Sequence, residues 1–197
     1  MKEKTRKLCE CAVLTALAFV LSLVKIPLPF GGSVTACSMV PLVIAALRCG
    51  AGWGFFSAGT FSVIKLLLGL ENFSYVSGAV SFVCVLLFDY LLAYSAVGLA
   101  GFFRASESDS RKKIAAKAGL GAFVGMTFRY ACHVVSGAAV WYDLTKVWEA
   151  DDAANMVFRY GKWMYSLVYN AIYMIPETII TVAAVAAVSA IVMRRNK

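Results

Sequence analysis

The chain has 197 residues, 61% of them hydrophobic and only 15% charged. A soluble domain carries about 25% charged residues, so this composition excludes a water-soluble fold, and at about 20 apolar residues per span the length leaves room for no sizeable domain outside a membrane. The formal charge of +8 sits in short clusters beside apolar runs and not in a stripe interleaved with aromatics, which argues against a nucleic-acid surface and for membrane topology.

The expected class is an all-α integral membrane protein, a single membrane domain over residues 1–197 with six transmembrane helices. The first run, at about 8–24, follows MKEKTRK. No small-residue cleavage site closes it near Lys25 and Pro27, so it reads as a retained membrane helix and not as a signal peptide. Within it, Ala12 and Ala16 have the small-xxx-small spacing that lets helices approach closely. The segment PLPFGGSVT (27–35) reads either as a plain turn or as a flap over an outward-facing site. The second run, at about 36–48 and interrupted by Pro41, is only about 18 Å long at 1.5 Å per residue and on length alone could be re-entrant. Four longer runs come next, at about 51–70, 76–103, 117–141 and 164–193. The loop between the last two mixes Asp143, Glu149, Asp151 and Asp152 with Lys146, Arg159 and Lys162, and is expected to hold a short amphipathic segment on the outer surface.

Charge decides the status of the short run, because cytoplasmic loops carry the excess of Lys and Arg. Six spans with both termini cytoplasmic put thirteen of the nineteen basic residues inside. If the second run failed to span, the cluster from Arg104 to Lys117 and the C-terminal RRNK would move outside.

Polar residues within the runs need a reason, since a charge at mid-bilayer costs at least about 2.5–3.5 kcal/mol. The candidates are Lys65, Asp89, Arg129, His133, Asn170 and Glu177. Asp89 lies among bulky apolar residues and is too short to reach the interface. It either pairs with Arg129 or Lys65 or acts as counter-ion to a cationic ligand. Arg129, His133, Gly137 and Trp141 recur every four residues, each about 40° around a helix from the one before. His133 is the single histidine of the chain. On the last run, Ser166, Asn170, Tyr173 and Glu177 form a second stripe, with Tyr165 and Tyr169 beside it. These stripes read as a pocket for a small, flat, cationic molecule, with aromatic rings supplying stacking and cation–π attraction.

The six cysteines form no CxxC pair and read as small buried thiols. No phosphate loop, HExxH or GxSxG motif occurs, so the chain is not expected to hydrolyse ATP itself, and no metal or cofactor is expected. An intramembrane enzyme would need Asp89 and His133 as an acid–base pair, with no evident nucleophile between them. Binding is the better-supported reading, and the chain is not expected to be an enzyme.

Three blocks resemble the ThiT family, the thiamine-specific substrate-binding (S) components of energy-coupling factor (ECF) transporters: FDYLLAYSAVGLAGFFR (88–104), RYACHVVSGAAVWY (129–142) and YSLVYNAIYMIPE (165–177). The resemblance runs over nearly the whole chain. It implies a six-helix S-component fold in the cell membrane, with thiamine captured near the outer face. It further implies partnership with a transmembrane scaffold subunit and two cytoplasmic ATPase subunits, and Ala12 and Ala16 as the scaffold-docking face. By motif, Asp89 stands at the family's acid, where the pattern has glutamate, so charge is kept on a side chain one methylene shorter. Tyr90 comes directly after the acid as in the pattern, His133 matches a histidine near the thiazolium and Trp141 an aromatic wall. Tyr165 and Asn170 match residues that hold the aminopyrimidine. The pattern places a tryptophan where Gly31 to Ser33 stand, which leaves Phe30 as the aromatic available for a lid. An S component for hydroxymethylpyrimidine or riboflavin is the alternative within the same class.

Overall fold

A computed structural model describes residues 2–27, 32–106 and 108–192. Helix α1 (Glu3–Leu23) turns Cys11, Thr15, Ala18 and Ser22 inward, a stripe of helical period. Leu8, Val13, Leu17, Val20 and Leu23 stay exposed on its other sides, as expected of side chains facing lipid. A small antiparallel hairpin comes next, β1 (Lys25–Pro27) and β2 (Ser33–Thr35), with Ile26 opposite Val34. Phe30 lies outside the described residues.

The short second run forms α2 (Met39–Cys49), with Pro41 accommodated in its first turn. Its side chains are buried on nearly every side, from Leu42 to Leu47 without a break. A helix apolar all round belongs inside a bundle, so protein and not lipid encloses this short element. Arg104 stops it by donating from Nε to the Leu47 carbonyl (3.1 Å) and from Nη2 to that of Arg48 (3.0 Å), a cation at a helix C-terminus.

Helices α3 (Ala51–Leu68) and α4 (Ala79–Phe103) are joined through a tight 3-10 segment, Leu70–Tyr75. They press together where α4 has no side chain: a Cβ on Gly101 would lie 2.5 Å from the Ala51 backbone. Such contact lets two apolar helices approach backbone to backbone. Helix α5 starts at Arg111 and runs to Ser136, then continues through Gly137–Trp141 and Tyr142–Trp148. Its charged first turns precede the apolar run because Ser110 accepts from the Lys113 N–H (3.4 Å), while Asp109 pairs with Lys113 (2.7 Å) and Lys117 (2.6 Å). These lysines, with the Ser106 N–H, hold the Asp109 carboxyl well below the usual carboxylate range. A four-residue α6 (Met156–Arg159) lies in the last long loop, and α7 (Lys162–Val192) completes the chain.

The core gathers residues from α1, α2, α3, α4, α5 and α7, among them Ala18, Leu42, Phe61, Val97, Met126 and Met174. α3, α4 and α7 are each long and apolar enough to cross a membrane, and α2 is a shorter apolar helix.

Candidate ligand-binding site

Two stretches of the bundle are wound more widely than an α-helix, Leu86–Leu91 in α4 and Gly137–Trp141 in α5. Such π turns hold well under 1% of residues in proteins and recur at functional sites. They also disturb the regular backbone hydrogen bonding, and in a membrane every carbonyl must find a partner. Neighbouring helices supply them: Ser62 of α3 donates to the Tyr90 carbonyl (2.8 Å), and Ser166 of α7 donates to that of Val134 (2.7 Å).

Asp89 lies in the first π turn and Trp141 in the second, and the two meet. Asp89 Oδ2 accepts from Trp141 Nε1 (2.6 Å) and from the Ser136 hydroxyl (2.6 Å), while Oδ1 lies 3.1 Å from His133 Nδ1. The acid and the histidine are mostly enclosed, with side chains 16% and 11% exposed. Two rings stand edge-on to His133: Tyr94 at 6.5 Å and Tyr173 at 6.1 Å. His133 Nε2 is buried without a hydrogen-bond partner among the described residues.

Asn170 packs beside this group. Its amide donates to the carbonyls of Ser166 (2.8 Å) and His133 (3.3 Å), and its oxygen accepts from the Tyr173 hydroxyl. The approach depends on Gly137, because a Cβ there would lie 2.2 Å from Ser166 Oγ and 3.0 Å from Asn170 Nδ2. Tyr165 is buried, stacks on Tyr169 at 5.7 Å and donates to Thr145 Oγ1 at 3.4 Å. From Tyr142 through Tyr165 and Tyr169 to Tyr173, rings succeed one another along the side of the site.

Asp89, His133 and Trp141 therefore touch directly, and Asn170 and Tyr165 lie around them. Tyr90 faces elsewhere: its hydroxyl accepts from Asn72 Nδ2 (2.9 Å) and donates to the Gly69 carbonyl (3.2 Å), and its ring stacks on Phe73 at 5.8 Å. Consecutive residues on a helix do not share a face, and Tyr90 instead joins Val85 and Val140 in a cluster behind Trp141.

Arg129 is not Asp89's partner. It pairs with Glu177 across α5 and α7 (2.9 Å, both side chains buried) and lies 4.8 Å above the Tyr94 ring. Glu177 also accepts from Thr35 at the base of the hairpin (2.8 Å). Lys65 makes no ion pair among the described residues. The Asp89 carboxylate is thus free of any Lys or Arg partner there. Ser136 does not stand out in the sequence, although its position three residues after His133 puts it on the same helix face. The same described residues hold no cluster of three or more His, Cys, Asp or Glu able to bind a metal.

A helical bundle with apolar outer faces around a buried polar site is an integral membrane protein of the solute-handling kind. The chain belongs to the thiamine transporter protein family, whose sequence model matches residues 8–196. It is similar to the thiamine transporter ThiT of Bacillus subtilis (strain 168), 31% identical over 182 residues, covering 88% of this chain and 85% of that protein. Its fold is that of ThiT from Listeria monocytogenes, with a TM-score of 0.72 at 22% identity and 98% of each chain covered. Membership makes the chain a transporter and not an enzyme, in the cell membrane with several spans.

Proposed function

We propose that this chain captures thiamine at the outer membrane face as the S component of an ECF transporter. The observation that carries the reading is Asp89: a carboxylate inside the membrane, held by neutral donors and an imidazole, with aromatic rings around it. A permanently cationic heterocycle fits that arrangement, because the acid supplies the counter-charge and the rings supply flat apolar walls. Trp141 binds through its ring face while its N–H steadies the acid. Tyr165 and Asn170 recognise the aminopyrimidine. Tyr90 takes part indirectly, by backing Trp141.

In this reading the chain spans the membrane six times with both termini cytoplasmic, and the hairpin lies on the outer side. Ala12 and Ala16 are exposed on α1, which suits a docking face for the transmembrane scaffold subunit, itself joined to two ATPase subunits. No catalytic step and no cofactor is required of this chain.

The deciding experiment is a thiamine titration of detergent-purified protein, monitored through tryptophan fluorescence with Trp141 as reporter. Saturable quenching at or below micromolar thiamine is expected, with hydroxymethylpyrimidine and riboflavin competing weakly. Absence of saturation, or preference for either competitor, would overturn the assignment.

A further inference from the structure

On the lipid-facing side of the bundle, helices α5 and α7 leave a groove between them. Phe123 and Tyr130 of α5 and Ile175 and Ile179 of α7 line it, the buried Met126 and Met174 form its floor, and it holds a cavity of about 200 Å³. Phe123, Ile175 and Ile179 are exposed, so the groove opens to the bilayer. A helix, about 10 Å across, does not enter a space of that volume, whereas one extended hydrocarbon chain does. Tyr130 closes one end, where its hydroxyl donates to the Leu167 carbonyl (2.8 Å) and bridges the two helices.

The other end leads to the charged start of α5. Lys112, Ala116, Gly119, Phe123 and Tyr130 fall within about 60° of one another at 3.6 residues per turn, and the α-helix is continuous over all of them. Only the small Ala116 and Gly119 stand on that face between Lys112 and Phe123, so no bulky side chain crosses the path. Lys112 precedes Phe123 by about 17 Å at 1.5 Å per residue, close to half of the ~30 Å hydrocarbon core. A lipid phosphate at Lys112 therefore places its acyl tail in the groove. Cations are in excess there. Residues 104–117 hold Arg104, Arg111, Lys112, Lys113 and Lys117 against Glu107 and Asp109. Asp109 is taken by Lys113 and Lys117, and Arg104 by the carbonyls that end α2. Arg111 and Lys112 are exposed and make no ion pair among the described residues.

We propose that the groove between α5 and α7 is a binding site for an anionic phospholipid, one acyl chain lying between Phe123 and Ile179 and the phosphate meeting Lys112, with Arg111 beside it. Basic side chains at clefts between membrane helices hold anionic headgroups in the same way. In the six-span orientation the lipid comes from the cytoplasmic leaflet. A zwitterionic lipid with the same chains fills the groove equally well but gains less from the cations. None of these residues belongs to the ligand pocket, so failure of the lipid site would leave the thiamine reading intact, and the reverse.

Native mass spectrometry of delipidated, detergent-solubilised protein, titrated with dioleoylphosphatidylglycerol or dioleoylphosphatidylcholine, tests the site. One phosphatidylglycerol should be retained saturably, about 10-fold more tightly than phosphatidylcholine, because each basic residue at a headgroup contributes about 5-fold. Arg111→Gln with Lys112→Gln should bring the two lipids to similar affinity. Thr127 lines the groove and is exposed, so Thr127→Trp fills it without disturbing the core and should weaken both lipids. Equal affinity of the two lipids for the parent chain, or a phosphatidylglycerol preference that survives the double variant, would overturn the proposal, and so would unchanged affinity in Thr127→Trp. In the unmodified chain, a phosphatidylglycerol carrying a diazirine at the end of its acyl chain should label peptides that contain Phe123 to Tyr130 or Ile175 to Ile179. Labelling confined to other segments, or a second copy of the chain cross-linked at the groove in place of lipid, would overturn it as well.

Discussion

At the scale of single residues, charge and hydrogen-bond capacity separate side chains that look alike in the sequence. Asp89→Asn keeps the shape but removes the negative charge that three donors converge on. Losing a buried charge of this kind costs about 2–4 kcal/mol, and thiamine affinity should fall by about 30- to 1,000-fold in a fluorescence or calorimetric titration. Tyr90→Phe should behave differently. Its hydroxyl is spent on Asn72 and Gly69, so the variant should lose about 1 kcal/mol of stability and bind thiamine almost as the parent does; a large loss of affinity would put Tyr90 in direct contact with the ligand.

At the scale of elements, the bundle is tied together where α5 meets α7. Gly137 lets the two come close, and a methyl group there would overlap Ser166. Gly137→Ala should lower stability by about 1–3 kcal/mol and weaken thiamine binding, both visible as a lower melting temperature with a smaller thiamine-induced rise. The Arg129–Glu177 pair bridges the same helices. Removing one partner of a buried pair costs about 3–5 kcal/mol, because the other charge is left uncompensated, whereas replacing both by apolar residues is often tolerated. Arg129→Met and Glu177→Met should each be poorly stable, and the double variant should recover much of the loss in a thermal-denaturation cycle.

The reach of the sequence has the same physical basis. Asp89, His133, Trp141 and Asn170 stand out because polar groups in apolar runs are expensive, and the structure brings all four into one region. Arg129's partner cannot be chosen from sequence, since periodicity gives a side chain's face on its own helix but not which helix stands opposite. The π turns are invisible for a related reason: nothing in LLFDYL or GAAVW distinguishes a π turn from an α turn, and the winding is stabilised by Ser62 and Ser166 on other helices. Ser136 escapes notice because serine in a membrane helix commonly serves packing.

At the scale of the whole molecule, the exposed face of α1 and the loop before α5 carry distinct expectations. Ala12→Leu with Ala16→Leu adds bulk on an exposed surface, so thiamine binding should persist while co-purification with the proposed scaffold and ATPase subunits falls. Asp109, held low by Lys113 and Lys117, contributes stability that is fully present above the ordinary aspartate range and disappears as pH falls through its depressed value. Asp109→Asn should therefore flatten the acid side of a melting-temperature profile and leave the neutral plateau only slightly lower.

A π turn is in effect an α-helix carrying one residue more than its hydrogen bonding needs. Deleting one residue within Gly137–Trp141 would let α5 return to regular winding and swing its C-terminal part by about 100°, carrying the indole away from Asp89. Residues before the turn, including the Arg129 link to α7, would keep their places. Natural variation by single-residue deletion could thus silence ligand capture while sparing the bundle, so relatives shortened by one residue at this point are where altered ligand preference should be sought.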